Sequence, residues 1–306
     1  MVTNETKKRA VVTGGAGFIG SHLVDALIAK GYDVDVIDNL SAGKKEHVNP
    51  DAILHVVDIR NLEEISPIIK GADYVFHFAA LPRVQYSIEN PIETNEVNVT
   101  GTLNVFSAAQ KGGVSRVVYS ASSSAYGDQE TMPLHEEMSA EPLSPYGLQK
   151  YIGEQYARLF HVVYGLSTVS LRYFNVYGPR FDPEGAYALV IGKFLKQRTD
   201  GVPISITGDG EQTRDFTHVR DVVRANILAA ESPSVGNGEV INIGAGRNVS
   251  INRIAQLIGG EIVYVPARLE PKHTLASNER ALKLLGWKPE IQVEEGIAEL
   301  LRESGF

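Results

Sequence analysis

The stretch VTGGAGFIGSH, residues 12–22, places a glycine-rich turn between an apolar run and a helical pattern. Three of its glycines, Gly14, Gly17 and Gly20, follow the β-branched run RAVVT (9–13) in a GxxGxxG spacing. Glycines at such a turn let the backbone approach a pyrophosphate, whose charge is then stabilised by the N-H groups and the dipole of the following helix. The spacing therefore predicts a strand, turn and helix that bind a dinucleotide.

The next strand pattern, DVDVID (33–38), ends in the carboxylate of Asp38. An acid at this point accepts hydrogen bonds from the adenosine ribose and repels the extra phosphate of NADP, so NAD is the favoured cofactor. Lys44 and Lys45 nearby leave NADP open as an alternative. A strand, turn and helix without a ligand is the other alternative, but spaced glycines destabilise regular elements and need a reason.

Further β-branched runs at 52–58, 74–80 and 116–122 alternate with stretches of helical period. Near-continuous apolar strands joined by crossover helices are typical of a parallel sheet that is covered on both faces. The pattern predicts an α/β fold with a doubly wound parallel sheet.

The alternation of apolar runs and helical stretches changes after about Arg172, where glycine and proline become frequent and the apolar runs shorten. We therefore predict a cofactor-binding domain over 1–172 and a smaller α/β substrate-binding lobe over 173–306. Segments near 215–243 are regular enough to return to the first lobe.

Composition narrows the class of protein further. The 306 residues carry a net charge of −8 without a basic stripe, which argues against a nucleic-acid partner. No apolar run reaches the length of a membrane helix, and the short polar start leaves no room for a signal peptide, so we expect no membrane partner and cytoplasmic residence. Because the chain has no cysteine and its eight histidines show no ligand spacing, we expect no metal.

A second motif, SPYGLQK at 144–150, places a tyrosine and a lysine four positions apart. Ser144 is a favoured N-cap and Pro145 a favoured first helical residue, so Tyr146 should lie in the first turn with Lys150 on the same face. A nearby ammonium favours tyrosinate, which makes Tyr146 a candidate base, while Lys150 is also suited to a ribose hydroxyl. An ordinary surface aromatic is the alternative, since both residue types are common.

The segment YSASSSAYG, residues 119–127, follows the fifth predicted strand. Its hydroxyls should emerge at the carboxyl edge of the sheet, where ligands bind in this architecture. Ser122 is a candidate proton relay or substrate contact, and Ser123 is the second candidate. Serines that only satisfy a strand end are the alternative.

Together with RYFNVYGPR (172–180) and TRDFTHVRD (213–221), these motifs resemble the extended short-chain dehydrogenase/reductase superfamily over nearly the whole chain. The segment ASSSAYGD and the helix start LSPYGLQKYIGE are most similar to the UDP-hexose 4-epimerases, especially those that act on N-acetylated or uronic-acid sugars. The resemblance implies a Rossmann domain that binds NAD. It also implies a homodimer that pairs through helices over 95–111 and 146–163.

The resemblance assigns roles by position. The catalytic residues that it implies are Tyr146, Lys150 and Ser122. The implied cofactor contacts are Gly14, Gly17, Phe18, Ile19, Gly20, Asp38, Asn39, Gly43, Asp58, Ile59, Phe78, Ala79, Ala80, Leu81, Asn98, Tyr146, Lys150 and Phe174. The implied substrate contacts are Ser122, Ser123, Tyr146, Asn175, Arg214, Arg268 and Thr274. Guanidinium forks match phosphate oxygens, although the two arginines also read as surface residues.

The chemistry that the resemblance implies is epimerisation at C4 of a UDP-hexose. Tyr146 would take the proton of the 4-hydroxyl while NAD takes the hydride, giving a transient 4-keto sugar. Dehydratases and decarboxylases of this superfamily place an acid in the segment that here reads Ser122 to Ala125, and serines are poorly suited to proton removal beside a ketone. A UDP-glucuronate 4-epimerase or another nucleotide-sugar decarboxylase or dehydratase remains an alternative, as do a plain dehydrogenase and a non-catalytic NAD(P)-binding regulator.

Substrate range depends on the segment VPARLEPKHTLASN, residues 265–278, which is one residue shorter than in relatives. With this gap, Thr274 falls where some relatives carry a bulky tyrosine that restricts the pocket to unsubstituted hexoses. A small residue there would admit a 2-acetamido group. We therefore expect UDP-GlcNAc and UDP-GalNAc to be accepted beside UDP-glucose and UDP-galactose.

Overall fold

The computed structural model describes residues 7–181, 190–267 and 272–306. Arg268, one of the predicted substrate contacts, lies outside these residues. The strands are β1 (Arg9–Thr13), β2 (Asp33–Ile37), β3 (Ile53–His55), β4 (Tyr74–His77), β5 (Arg116–Ser122), β6 (Thr168–Tyr173), β7 (Ile204–Thr207), β8 (Thr213–Asp215), β9 (Asn237–Ile243), β10 (Asn248–Ser250) and β11 (Ile262–Val265). The helices are α1 (Phe18–Ala29), α2 (Leu62–Ile69), α3 (Val84–Glu89), α4 (Pro91–Asn95), α5 (Thr102–Gly112), α6 (Pro145–Tyr164), α7 (Val190–Thr199), α8 (Val219–Glu231), α9 (Ile251–Ile258), α10 (Glu279–Leu285) and α11 (Val293–Glu303).

Seven parallel strands form the central sheet in the order β3-β2-β1-β4-β5-β6-β9. In its middle, Val12 of β1 lies opposite Val36 of β2 on one side and Phe76 of β4 on the other. The sheet is covered by helices on both faces, and the order reverses between β1 and β4. The predicted α/β fold with a doubly wound parallel sheet is therefore confirmed.

Successive side chains of β1 point to opposite faces of the sheet, so they belong to two separate parts of the hydrophobic core. Val12 belongs to a buried cluster with Leu23 of α1 and Val222 of α8. Val11 belongs to the cluster on the other face, with Phe106 of α5 and Phe160 of α6. Burial on both faces explains why the strands read as continuous apolar runs.

The remaining elements form a smaller layer beside the carboxyl edge of the sheet. β7 pairs with β11 in parallel, and β8 pairs with β10 in antiparallel fashion. Helices α7, α9 and α11 pack around these pairs, with Phe194, Ile254 and Ile297 in a shared core. By contrast, β9 pairs with β6 in the main sheet and α8 packs against α1. The division of the chain at residue 172 stays a prediction.

Helix α6 begins and ends as its sequence indicates. The Gly147 amide donates to Ser144 Oγ (3.1 Å), Pro145 occupies the first turn, and Gly165 ends the helix with φ of +70°. A left-handed residue of this kind is the usual stop for a helix, and glycine adopts it without steric cost. The tyrosine and lysine of the second motif therefore lie at the start of a regular helix, as predicted.

The helix predicted over 95–111 runs without a break but is not α-helical throughout. Asn95 ends the short helix α4, residues Glu96–Gly101 form a π-helical turn, and α5 follows. A π turn holds an extra residue within the helix and is frequent at functional sites. Here it carries Asn98, whose side chain bonds to the chain at Leu81.

No helix in the described residues is long and apolar enough to cross a membrane.

Candidate active site

A deep cleft opens at the carboxyl ends of β1, β2 and β4, where the strand order reverses. Ligands of doubly wound sheets bind at such a point. Fourteen of the predicted cofactor contacts line the cleft: Gly14, Gly17, Phe18, Ile19, Gly20, Asp38, Asn39, Gly43, Asp58, Ile59, Phe78, Ala79, Ala80 and Leu81. The sequence reasoning missed other lining residues, among them Arg60 and Arg180.

The glycines of the β1–α1 turn are needed for close contacts. Gly14 has φ of +71°, and a Cβ there would lie 2.7 Å from the Ala79 amide nitrogen. A Cβ on Gly20 would lie 2.2 Å from the Gly14 carbonyl oxygen. Gly17 is the N-cap of α1 and provides no side chain to cap it, so the helix begins at the cleft. The turn has the form that leaves a helix N-terminus beside a bound pyrophosphate.

Asp38 is buried at the end of β2 and is held by two amides. Its carboxylate accepts hydrogen bonds from the Ala16 amide (3.0 Å) and the Leu40 amide (2.9 Å). Burial raises the pKa of Asp38, and the two amide bonds oppose that rise. A Cβ on Gly43 would lie 2.9 Å from both carboxylate oxygens, so only glycine leaves room there.

The neighbouring wall of the cleft is formed by a second acid. Asp58 accepts from Asn39 Nδ2 (2.9 Å) and forms a bidentate pair with Arg60, with contacts of 3.0 and 2.8 Å. The Arg60 hydrogen bonds lower the pKa of Asp58 to about 2. Asn39, Asp58 and Arg60 thus form one bonded group at the end of the cleft that the prediction assigns to adenosine.

The three predicted catalytic residues come together at the junction of β5 and α6. Tyr146 is buried, with 7% of its surface exposed, and burial raises its pKa to about 12. A hydrogen bond with the Ser122 hydroxyl opposes that rise. Ser122 Oγ also accepts from the Ser124 amide (3.2 Å), while Ser123 begins the short helix that follows β5.

Lys150 lies one turn along α6 and is buried more deeply. Its Nζ donates to the Ser120 carbonyl (2.8 Å) and lies 5.2 Å from the centre of the Tyr119 ring. Burial lowers the pKa of Lys150 to about 7, and the carboxylate of Glu154 opposes that shift. The low polarity around this helix thus disfavours both tyrosinate and lysine ammonium, because each is a charged form.

A buried ion pair lies behind Lys150, and the sequence reasoning missed it. Glu154 accepts two hydrogen bonds from Arg172 of β6, at 2.8 and 2.6 Å, and both side chains are almost fully enclosed. Burial raises the pKa of Glu154, and the Arg172 guanidinium opposes that rise. The position of Glu154, four residues after Lys150, was the available signal, because residues at this spacing share a helix face.

Two predicted cofactor contacts have other partners for their side chains. Asn98 accepts from the Leu81 amide (2.7 Å) and donates to the Leu81 carbonyl (2.9 Å) and to Gln149 Oε1 (2.8 Å). Asn98 therefore holds the loop that lines the cleft. The side chain of Phe174 is fully buried in an apolar cluster with Tyr126.

The described substrate candidates of the second lobe meet around Asp215. Asn175 Nδ2 donates to the Asp215 carbonyl (3.0 Å), and the Asp215 amide donates to Thr274 Oγ1 (3.3 Å). Arg214 is the preceding residue of β8, and its Nη1 donates to the Thr213 carbonyl (2.9 Å). Sequence spacing gave no sign of this meeting point, because the contributing segments are far apart along the chain.

Two of the histidines, His77 and His55, have structural partners. His77 is buried between the hydroxyls of Thr13 (2.7 Å) and Thr102 (2.9 Å), and burial lowers its pKa to about 3. His55 pairs with Asp35 at 2.7 Å. Across the three described ranges, no group of three or more histidine, cysteine or acidic residues is arranged to hold a metal ion.

The cleft and the residues around Tyr146 define a nucleotide-cofactor enzyme of the doubly wound class. Residues 10–244 match the model of the NAD dependent epimerase/dehydratase family, and the chain belongs to that family. Its cofactor is NAD. The glycine positions of the cleft, where a Cβ would strike Ala79 or Asp38, agree with a dinucleotide lying against the backbone.

The similar proteins are named for different UDP-sugars. The UDP-glucose 4-epimerase of Thermotoga maritima, crystallised with UDP-glucose, is 40% identical, has a TM-score of 0.92, and the match covers 97% of this chain and 100% of that one. A UDP-N-acetylglucosamine 4-epimerase from Methanobrevibacter ruminantium M1, in complex with UDP-N-acetylmuramic acid, is 39% identical with a TM-score of 0.90 and coverage of 97% and 99%. A UDP-glucuronate 4-epimerase from Thermodesulfobacterium geofontis is 34% identical over 94% of this chain and 93% of its own.

The buried ammonium of Lys150 should make protein stability depend on pH in a way that Lys150→Met removes. The folded-state pKa, about 7, lies below the unfolded value of 10.5, so the folded chain binds fewer protons between these values and wild type gains stability as pH rises. The free energy of unfolding of the methionine variant should exceed that of the wild type by the largest amount near pH 6–7. This difference should shrink by on the order of 3 kcal/mol toward pH 10.

Urea unfolding of both proteins at several pH values measures this difference. Lys283→Met, on the exposed side of α10, is the control and should show a nearly constant difference. A constant difference for Lys150→Met as well would contradict the burial of a charge at this position.

Proposed function

We propose that the protein is an NAD-dependent 4-epimerase of UDP-hexoses that accepts both plain and 2-acetamido sugars. The observation that carries the proposal is the position of Tyr146, which is buried at the start of α6 beside Ser122 at the carboxyl end of β5. The segment Ser122–Ser123–Ser124 offers hydroxyls where an elimination or a decarboxylation would call for an acid. A tyrosine and serines are suited to moving the proton of an alcohol, which is the proton that oxidation at C4 releases.

Bound NAD supplies a reversible hydride acceptor whose oxidised nicotinamide ring is positively charged. The residues of the chain have the remaining tasks. Tyr146 is proposed to hold the proton that leaves the sugar 4-hydroxyl, and Ser122, which lies beside the phenol, to orient that hydroxyl. Lys150 favours tyrosinate when it is charged. Because burial raises the pKa of Tyr146 to about 12 even with Ser122 opposing the rise, positive charge nearby is needed for the phenol to act as a base near neutral pH.

The proposed substrate-binding residues are those that meet near Asp215. The Asp215 carbonyl accepts from Asn175 Nδ2 (3.0 Å), and the Asp215 amide donates to Thr274 Oγ1 (3.3 Å). Arg214 is joined to Asp215 as the preceding residue of the chain. A guanidinium at Arg214 is suited to a diphosphate. Thr274 is small, which leaves room for an acetamido group.

A second candidate is a UDP-glucuronate 4-epimerase, and the 34% identity to the Thermodesulfobacterium geofontis enzyme favours it. Both candidates use the same chemistry at C4, and their substrates differ in the group on C5 and, for the 2-acetamido sugars, also in the group on C2. Cytoplasmic residence stays a prediction.

We further propose a homodimer that pairs through α6 and its neighbours. Apolar side chains stand on the outer surface of these helices, including Ile92 (76% exposed), Val162 (70%) and Leu159 (49%). Helices α3, α4 and α5 pack against α6, so their outer faces lie side by side. Clustered apolar groups on a folded surface are typical of protein interfaces, and the dimer that the family resemblance implies supports the proposal.

The proposed activity is tested by incubating the purified protein with UDP-glucose, UDP-galactose, UDP-GlcNAc, UDP-GalNAc and UDP-glucuronate and identifying the C4 epimers. We expect interconversion of the first four without added NAD and without growth of NADH absorbance. Conversion of UDP-glucuronate alone would select the second candidate. Sustained NADH production would identify a dehydrogenase, and NAD binding without any product would identify a regulator.

Tyr146→Phe removes the proposed base and leaves the ring in place. Epimerase activity should fall by about 10²–10⁴-fold while NAD remains bound, because only the proton-transferring hydroxyl is lost. Tyr264→Phe, an exposed tyrosine of the second lobe, is the matched control and should keep its activity. Near-native turnover by NAD-loaded Tyr146→Phe would disprove the role of Tyr146.

Thr274→Tyr should shift the substrate preference from 2-acetamido sugars toward plain hexoses. The bulk of tyrosine would fill the space proposed for the acetamido group, and the ratio of kcat/KM for UDP-GlcNAc to that for UDP-glucose should fall by about tenfold or more. Thr274→Val keeps the size but loses the hydroxyl that meets the Asp215 amide, so it separates bulk from hydrogen bonding. An unchanged ratio in Thr274→Tyr would remove Thr274 from the specificity site.

Val162→Glu places a charge on the proposed dimer surface, in the last turn of α6. In analytical ultracentrifugation, the wild type should have twice the chain mass of 33.3 kDa, and the variant should have the mass of a monomer. The reason is that burying an unpaired charge in the dimer interface is costly. Val202→Glu, on an exposed valine of the second lobe, is the control and should remain dimeric. A Val162→Glu protein that remains dimeric would place the interface elsewhere.

A further inference from the structure

Asp215, at the end of β8, is fully buried, and its carboxylate binds three main-chain amides from two segments. Its carboxylate accepts hydrogen bonds from the Ala245 amide (2.5 Å), the Gly246 amide (3.0 Å) and the Ala276 amide (3.0 Å). Ala245 and Gly246 belong to the loop after β9, whereas Ala276 lies in the segment that leads to α10. One side chain therefore ties together loops that are far apart in sequence.

The backbone of the same residue binds two proposed substrate contacts. The Asp215 carbonyl accepts from Asn175 Nδ2 (3.0 Å), and the Asp215 amide donates to Thr274 Oγ1 (3.3 Å). The third proposed contact, Arg214, precedes Asp215 in β8, and its side chain lies on the opposite face of the strand. The main-chain carbonyl and amide of Asp215 and its Oδ2 atom thus bind segments that carry a proposed substrate residue.

The packing around the carboxylate leaves no space for a larger neighbour. A Cβ on Gly244 would lie 2.9 Å from Asp215 Oδ2 and 2.4 Å from the Ala276 Cβ. Among the described residues, no cation forms an ion pair with Asp215, so the three amides alone compensate the buried charge. Burial raises the pKa of Asp215 to about 6 against the effect of these amides. A buried carboxylate without a cation is costly for a position that serves stability alone.

We infer that Asp215 is a positioning residue for the UDP-sugar, which holds Asn175, Arg214 and Thr274 in one binding geometry without itself touching the substrate. The inference rests on the proposed function. If Asp215 acted only as a structural tie, its loss would weaken NAD and nucleotide binding together, in step with stability. A positioning role instead predicts a selective loss at the nucleotide-sugar end of the site.

Asp215→Asn tests this prediction with little change in size. The amide replaces one acceptor oxygen with an NH₂ group, which must face a backbone N-H and leaves that donor unpaired. We expect the Kd for UDP, measured by calorimetry well below the unfolding temperature, to rise about tenfold or more. The Kd for NAD should stay within about twofold, because the cofactor cleft contains none of these residues. With a turned-over UDP-sugar, KM should rise while kcat stays within about threefold.

Asp209→Asn is the matched control, since Asp209 is an exposed acid of the same lobe whose carboxylate accepts only from the Glu211 amide. It should leave both affinities unchanged. If Asp215→Asn does not fold, Gly244→Ala takes its place, because the added methyl would push on the same carboxylate and on Ala276.

The outcomes separate the two proposals. Wild type that binds NAD but not UDP would overturn the proposed function and this inference with it. Wild type that binds UDP, with an Asp215→Asn variant that binds it equally well, would overturn the inference alone. A parallel loss of UDP and NAD affinity in the variant would also overturn it, in favour of a purely structural tie.

Discussion

The close approach of the β1–α1 turn to the chain after β4 is the constraint on which the site depends. The Gly14 amide donates to the Ile37 carbonyl (2.8 Å), and a side chain at Gly14 would strike the backbone of Ala79. This contact brings the ends of three strands to one edge. It also places the Ala16 amide against Asp38, so the acid at the end of β2 is oriented by the same turn that opens the cleft.

The second constraint is electrostatic. The active-site helix carries Tyr146 and Lys150 into an environment of low polarity, where burial shifts both toward their neutral forms. Ser122 opposes the shift at Tyr146, and Glu154 opposes the shift at Lys150. For the proposed role of Tyr146 as a base, the charged form of the phenol becomes favourable only when positive charge lies beside it.

Local patterns predicted the parts of the protein that depend on local physics. The runs at 9–13 and 116–122 coincide with β1 and β5, and the Ser144 cap places the start of α6. Of the predicted residues that line the cofactor cleft, Gly14, Gly17, Gly20 and Asp38 were predicted from the glycine turn and the end of the second strand, whereas the others were implied by the family resemblance. The π turn escaped prediction, because apolar periodicity carries no sign of an extra residue that is held by a distant hydrogen bond to Leu81. The role of Asp215 escaped for the same reason, since its partners are backbone amides far along the chain.

The π turn at Glu96–Gly101 has a consequence for how this segment can vary. Because it accommodates one residue more than an α-helical turn, it fixes the rotational phase between α4 and α5. Loss of a single residue there would rotate everything that follows by about 100° and would carry Asn98 away from Leu81. The length of this segment is therefore constrained, so insertions and deletions among related chains should avoid this turn.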